Sequence, residues 1–288
     1  MRRLRAGVLA LVSLTALTAL TGCTDDGSAR PGDPTPASGV AAAESQTATA
    51  TPTPARPAPR PRARACYRLT YDQAIAPTTK ADPVPCRRPH TSVSHHVGTI
   101  DAVVDGHLLA VDSRRVQAQV TADCPRRLPR FLGGTPDDLH LSMLRAVWFT
   151  PTLEESDAGA DWYRCDVIAV AVEGKLAQLA GPVEGVLSRP EGRDRYGMCG
   201  TAEPGTDEFS RVICSRPHSW RAIRTVDFQG TKHPGVARVR AAGEAPCEEA
   251  ARAVASDPTS FRWGYEWPTQ EQWAAGQHYG LCWTPDRT

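Results

Sequence analysis

Two short motifs hold the polar groups best suited to chemistry. Cys86-Arg87-Arg88-Pro89-His90 and Cys214-Ser215-Arg216-Pro217-His218 each set an imidazole four positions after a cysteine and directly after a proline. Imidazole titrates near neutral pH and binds metals, so His90 and His218 are candidates for a proton or ligand site. A histidine after proline at a strand entrance also serves to hydrogen-bond backbone groups in a small disulfide domain, and this structural role is the preferred reading. His95 and His96 follow His90 closely, and three imidazoles would suit zinc. Behind His218, however, the matching places hold Ile223 and Arg224, and no carboxylate or thiolate stands at a fixed spacing. No metal and no other cofactor is therefore expected. Trp263, Tyr265 and Trp267 alternate, so a strand would turn all three to one side. Such a stripe could stack on the sugar rings of a glycan, although its commoner use is to pack a core.

Enzyme signatures are missing: the chain has no GxSxG, HExxH, GxGxxG or P-loop pattern. The carboxylate pairs Glu154/Glu155 and Glu248/Glu249 are adjacent, and adjacent residues on a helix do not face one another. An enzyme is not expected. Charge narrows the partners further. With 33 Lys and Arg against 32 Asp and Glu, the formal charge of +1 excludes the strongly basic surface of a nucleic-acid binder.

The cysteines organise the rest. After Cys23 come Cys66, Cys86, Cys124, Cys165, Cys199, Cys214, Cys247 and Cys282, an even set that in an exported chain reads as disulfides. Their landmarks recur. Pro151, Thr152, Gly159, Trp162 and Cys165 align without a gap on Pro268, Thr269, Gly276, Tyr279 and Cys282. Equivalent halves that close their own bridges leave only the few pairings open to four cysteines. Sequential pairing is preferred: Cys66 with Cys86, Cys124 with Cys165, Cys199 with Cys214, and Cys247 with Cys282.

These landmarks need elements to hold them. Ser92 to Val104, Arg145 to Phe149, Val167 to Val172 and Trp220 to Phe228 carry β-branched and apolar residues in partial alternation, which predicts strands. Val116, Val120 and Cys124 recur at helical spacing behind the caps Asp112 and Ser113. Pro125 and Pro129 should end or kink that helix. In the second half, Pro246 suits a first helical position, with Cys247, Ala250, Ala251 and Val254 lining one face. Each half thus reads strand, strand, helix, strand. The segment from Asp166 to Met198 reads as a strand followed by an irregular connector.

At the N-terminus, Arg2, Arg3 and Arg5 precede the apolar run from Val8 to Leu20, which falls short of the roughly 20 residues a spanning helix needs. Residues 1–22 read as a secretory signal peptide. Its end resembles the bacterial lipobox, which implies cleavage before Cys23 and a diacylglycerol thioether on that residue. The chain is then expected to be lipid-anchored on the extracytoplasmic face of the cell membrane. Residues 23–65, rich in Pro, Thr and Ala, cannot form a core and predict a disordered tether. Polyproline-like chain of that length reaches on the order of 100 Å at most.

The CxxPH motif, a following strand, a mid-domain cysteine and a PTxxxW-like segment ending in cysteine resemble the actinobacterial septum formation family. The second half carries the pattern more fully, through Cys214, Pro217, His218, Pro234, Gly235, Cys247, Pro268, Thr269, Trp273, Gly276 and Cys282, whereas the first half has Ser156 at the tryptophan place. The resemblance implies an envelope protein near division or wall assembly, and no catalytic residues come with it. The expected architecture is α+β, with two tandem small disulfide-stabilised domains at residues 66–165 and 199–288. A strand and connector at 166–198 joins them. The expected function is a non-catalytic binding or scaffolding module whose partner is an envelope protein or a cell-wall glycan. The alternative is a dedicated glycan-binding protein or a hydrolase of wall polymers.

Overall fold

In the computed structural model, which describes residues 59–286, strand and helix alternate much as the apolar patterning requires. Cys23, the signal segment and most of the tether lie outside the described residues. The first half contains β1 (Cys66–Tyr67), α1 (Tyr71–Ile75), β2 (Ser92–Thr99) and a small hairpin of β3 (Val103–Val104) and β4 (His107–Leu108). It continues with α2 (Arg114–Leu132), α3 (Pro136–His140), β5 (Leu144–Phe149), α4 (Leu153–Asp157), β6 (Trp162–Val172) and β7 (Lys175–Leu176). After α5 (Pro190–Tyr196), the second half contains β8 (Met198–Gly200), β9 (Arg211–Ile213), β10 (Trp220–Asp227) and α6 (Val236–Val254). It closes with β11 (Gly264–Glu266), α7 (Gln270–Ala274) and β12 (Tyr279–Pro285).

The repeat is visible in the pairing. One antiparallel sheet runs β1-β2-β6-β5 with β7 added to β6, and the other runs β9-β8-β10-β12-β11. Each therefore places a cysteine-bearing strand, a long strand, a C-terminal strand and the strand before a short helix in the same order. The short helices explain the ungapped match. Thr152 and Thr269 accept hydrogen bonds from the backbone N–H of Glu155 and Gln272, whose side chains reach back to complete a capping box. Gly159 and Gly276 leave these helices at φ of 96° and 94°, a conformation that favours glycine. Four disulfides, Cys66–Cys86, Cys124–Cys165, Cys199–Cys214 and Cys247–Cys282, stay within their own halves in sequential order. The second and fourth tie the long helix of each half to its C-terminal strand.

Both long helices depart from the sequence expectation. The first does not stop at its prolines: α2 passes through Pro125 and Pro129 to Leu132. Val116, Val120, Cys124, Leu128 and Leu132 form one buried stripe. Burying Leu128 and Leu132, at about 1.5 to 3 kcal/mol each, offsets much of the roughly 3 kcal/mol cost of an interior proline. The second does not start at Pro246: α6 begins at Val236, behind Gly235 at φ 98°. Its buried face is Val239, Gly243, Cys247 and Ala251, while Val254 is exposed. The stripe reaches two turns upstream of the proline, and its burial decides where the helix begins.

The halves share their largest core, beside two smaller clusters that belong to the first half alone. One core joins Val93, Leu144, Val167 and Leu132 of the first half to Met198, Ile213, Trp220, Leu281 and Trp283 of the second. The expected connector is part of that core, since Leu179, Val183, Val186, Leu187 and Tyr196 are all buried in it. Backbone bonds cross the seam as well: Met143 N–H donates to the Tyr196 carbonyl and Met198 N–H to that of Leu141, both at 2.7 Å. The internal repeat is thus two similar sheets over a common interior.

Candidate functional site

The CxxPH motifs fold alike. The Nδ1–H of His90 donates to the Arg88 carbonyl at 2.8 Å, and that of His218 to the Arg216 carbonyl at 2.6 Å. Arg88 N–H and Arg216 N–H in turn donate to the carbonyls of Pro85 and Ile213, closing the same turn twice. His90 is buried, and its carbonyl accepts from Leu179 N–H at 2.9 Å, so the residue ties the connector to β2. His218 Nε2 lies 3.1 Å from Asp286 Oδ2, which also accepts from Arg221 Nε at 2.6 Å. Burial pushes the Asp286 carboxyl up, but the hydrogen bonds from Arg221 and His218 outweigh it and hold the group below the usual range.

The aromatic stripe divides. Tyr265 donates its hydroxyl to the Val239 carbonyl at 3.1 Å, and its ring occupies the space where a Cβ on Gly243 or Gly280 would fall. Burial pushes that hydroxyl up to about 12. Trp267 lies beside Tyr265 and under the Arg240 guanidinium, 5.4 Å from the ring centroid. Both residues face α6 and pack it; Trp263 stands half-buried just before β11.

A different set of residues lines a polar hollow beside α2. The register of β2 against β6 slips between Ser94 and His96, and that of β10 against β12 slips between Ala222 and Arg224. The extra residues at these bulges are His95 and Ile223, the equivalent places of the repeat. His95 meets Phe131 of α2 with ring centroids 5.7 Å apart, and both of its ring nitrogens are buried without a hydrogen-bond partner. Beside it, Asp123 accepts hydrogen bonds from Tyr163, Arg126 and Arg127. Burial would raise the Asp123 carboxyl, yet the bonds from Arg127, Tyr163 and Arg126 hold it well below the usual range. His96 Nε2 sits 3.5 Å from the Tyr163 hydroxyl. The neighbouring Cys124–Cys165 bridge keeps this stretch of α2 against β6. Together His95, His96, Arg126, Arg127, Arg130, Phe131 and Glu184 bound a cavity of about 490 Å³.

His95 is not joined to His90 in a metal centre. Among the described residues, the groups close enough to share an ion are Cys199–His218–Asp286, whose cysteine is in a disulfide, and Asp137–His140–Asp227. The latter lies at the seam, where His140 stacks on Tyr279 at 3.9 Å and Thr225 donates to Asp137 at 2.7 Å. Sequence reading missed Asp123, Arg127, Arg130 and Phe131. Their i, i+4 and i, i+7 spacing is the signal, and it shows only on a helix that runs unbroken past Pro125.

His95 also predicts a pH effect. Burial, then the charges of His96 and Arg127, lower its pKa from 6.5 to about 4, against the opposing pull of Asp123. Between those values the unfolded chain holds a proton that the folded chain does not, so stability is full above pH 6.5 and declines as pH falls toward 4. The loss should reach about 3 kcal/mol. Urea unfolding at a series of pH values should show it, and His95→Phe should flatten the profile; an unchanged slope in that variant would contradict the assignment.

A family model described as septum formation matches residues 111–282. The match covers more than half of the chain, which belongs to the septum formation family. The matched span opens just before α2 and ends at the last cysteine, running across the seam as one unit. Neither curated proteins nor solved structures yield a match.

Proposed function

We propose that the chain is a lipid-anchored, extracytoplasmic and non-catalytic binding or scaffolding module that acts in septum formation. The observation that carries this reading is the closure of all eight cysteines after Cys23 into four disulfides. Such sets form and persist in oxidising compartments outside the cytoplasm. Membership in the septum formation family supports a role in division. No helix of the described residues is long and apolar enough to cross a membrane, and in this reading Cys23 supplies the attachment. The disulfide-braced sheets act as a platform for a partner, an envelope protein or a cell-wall glycan. Imaging a tagged chain in dividing cells tests the proposal. Enrichment at the septum that is lost with Cys23→Ala is the expected result, and a uniform cytoplasmic signal from the native chain overturns it.

A further inference from the structure

The His95 hollow does not end at Phe131. Phe131 and Glu184 also line a second cavity of about 370 Å³, whose other walls include Val93, Pro182, Val183 and the Cys66–Cys86 bridge. The two spaces form a cleft with unlike ends. Arg126, Arg127 and Arg130 line the first space, and Arg64 and Arg87 stand in the second. Asp123 occupies Arg126 and Arg127, and Glu184 pairs with Arg64 at 2.7 Å. Five guanidiniums thus meet two carboxylates, and neither Arg130 nor Arg87 has an ion pair among the described residues. His95 lines the first space, and its two ring nitrogens are buried at its edge without a partner. The second space sets the aliphatic side chains of Val93 and Val183, Pro182 and the Cys66–Cys86 bridge beside Arg64, Arg87 and Glu184. The equivalent groove of the second half lacks this polarity, with Ile223 in place of His95 and with Arg221 and Arg262 already paired to Asp286 and Glu203.

We propose that this cleft binds an amphipathic oxyanion, with a phosphate or carboxylate head between Arg130 and His95 and an apolar tail across Phe131 onto Val93 and Val183. The excess positive charge selects the head, because a charge-assisted hydrogen bond from guanidinium to an oxyanion is the strong kind. The imidazole N–H of His95 donates to the same head, giving that buried side chain its missing partner. The apolar end rewards a tail that inorganic anions lack. This inference deepens the binding-module reading by naming a ligand class. The two fail separately, since septal imaging tests the module and direct titration tests the cleft.

Calorimetric titration of the disulfide-intact full chain with octyl phosphate, octanoate, octanol and inorganic phosphate provides the test. At least one of the two amphipathic anions should bind about tenfold more tightly than octanol or inorganic phosphate. Whichever of octyl phosphate and octanoate binds better identifies the head. Arg130→Gln, on an exposed helix position, and His95→Phe should each weaken that binding about tenfold. Arg262→Gln in the second groove should leave it unchanged. Equal affinity for octanol, no binding of either anion, or anion binding indifferent to both cleft variants would overturn the proposal.

Discussion

Asp166→Ala should lower the free energy of unfolding by about 3 to 5 kcal/mol. Asp166 is fully buried on β6, where it accepts hydrogen bonds from Ser92 at 2.7 Å and Ser94 at 3.0 Å. Arg164 Nε lies 2.9 Å from Oδ1, the oxygen that Ser94 also reaches, and Arg164 is 3% exposed. Burial pushes the Asp166 carboxyl up, and Arg164 and the two serine hydroxyls pull against it. The guanidinium also lies over the rings of Tyr67 and Phe149, at 3.7 and 4.5 Å from their centroids. Removing the carboxylate strands a positive charge among aromatic side chains and leaves two serine hydroxyls without their acceptor. Replacing both partners with apolar residues of similar size, as in Arg164→Met with Asp166→Leu, should recover most of the loss, because no buried charge then lacks a counter-ion. Urea unfolding of the single and double variants measures the coupling. Single variants within about 1 kcal/mol of the native chain would mean that water reaches the pair.

Deleting the Cys124–Cys165 bridge should cost about 4 kcal/mol, a large share of the 5 to 15 kcal/mol that holds a typical domain together. The bridge spans 41 residues, so its removal frees the longest of the four loops in the unfolded chain, while the Cys199–Cys214 bridge spans 15 and should cost nearer 3 kcal/mol. Both cysteines of the longer bridge are fully buried, between the stripe of α2 and the centre of β6. Its loss therefore also loosens Asp123 and the cleft residues beside it. Thermal melts of the paired cysteine-to-alanine variants should rank the bridges by loop length. A larger loss from the 15-residue loop would show that native packing at the bridge, and not chain entropy, sets its value.

Much of the local structure was legible in the chain. Alternation placed β5, β10 and the second part of β6, and the PT segments with their trailing glycines marked the repeat, although the short helices α4 and α7 that their capping boxes build were not foreseen. The prolines misled. Pro125 and Pro246 obey a local rule, and the rule loses when a buried stripe and a disulfide fix the helix on both sides of the residue. The same error hid the cleft, whose basic side chains are neighbours only on an unbroken α2. His90 and His218 drew attention through their repeated context, and the structure gives them a hydrogen bond within a turn. His95, which the repeat does not share, lines the hollow with both ring nitrogens unpartnered.

The repeated order of cysteines and strands could be read from the chain, because each depends on side chains close together in it. Tertiary structure alone decided that the two halves share an interior, that the stretch from Leu179 to Tyr196 fills it, and that Arg130, His95 and Phe131 meet. Those outcomes depend on apolar surface buried between residues far apart in the chain, and that burial, summed over a whole core, exceeds the preferences of any single turn.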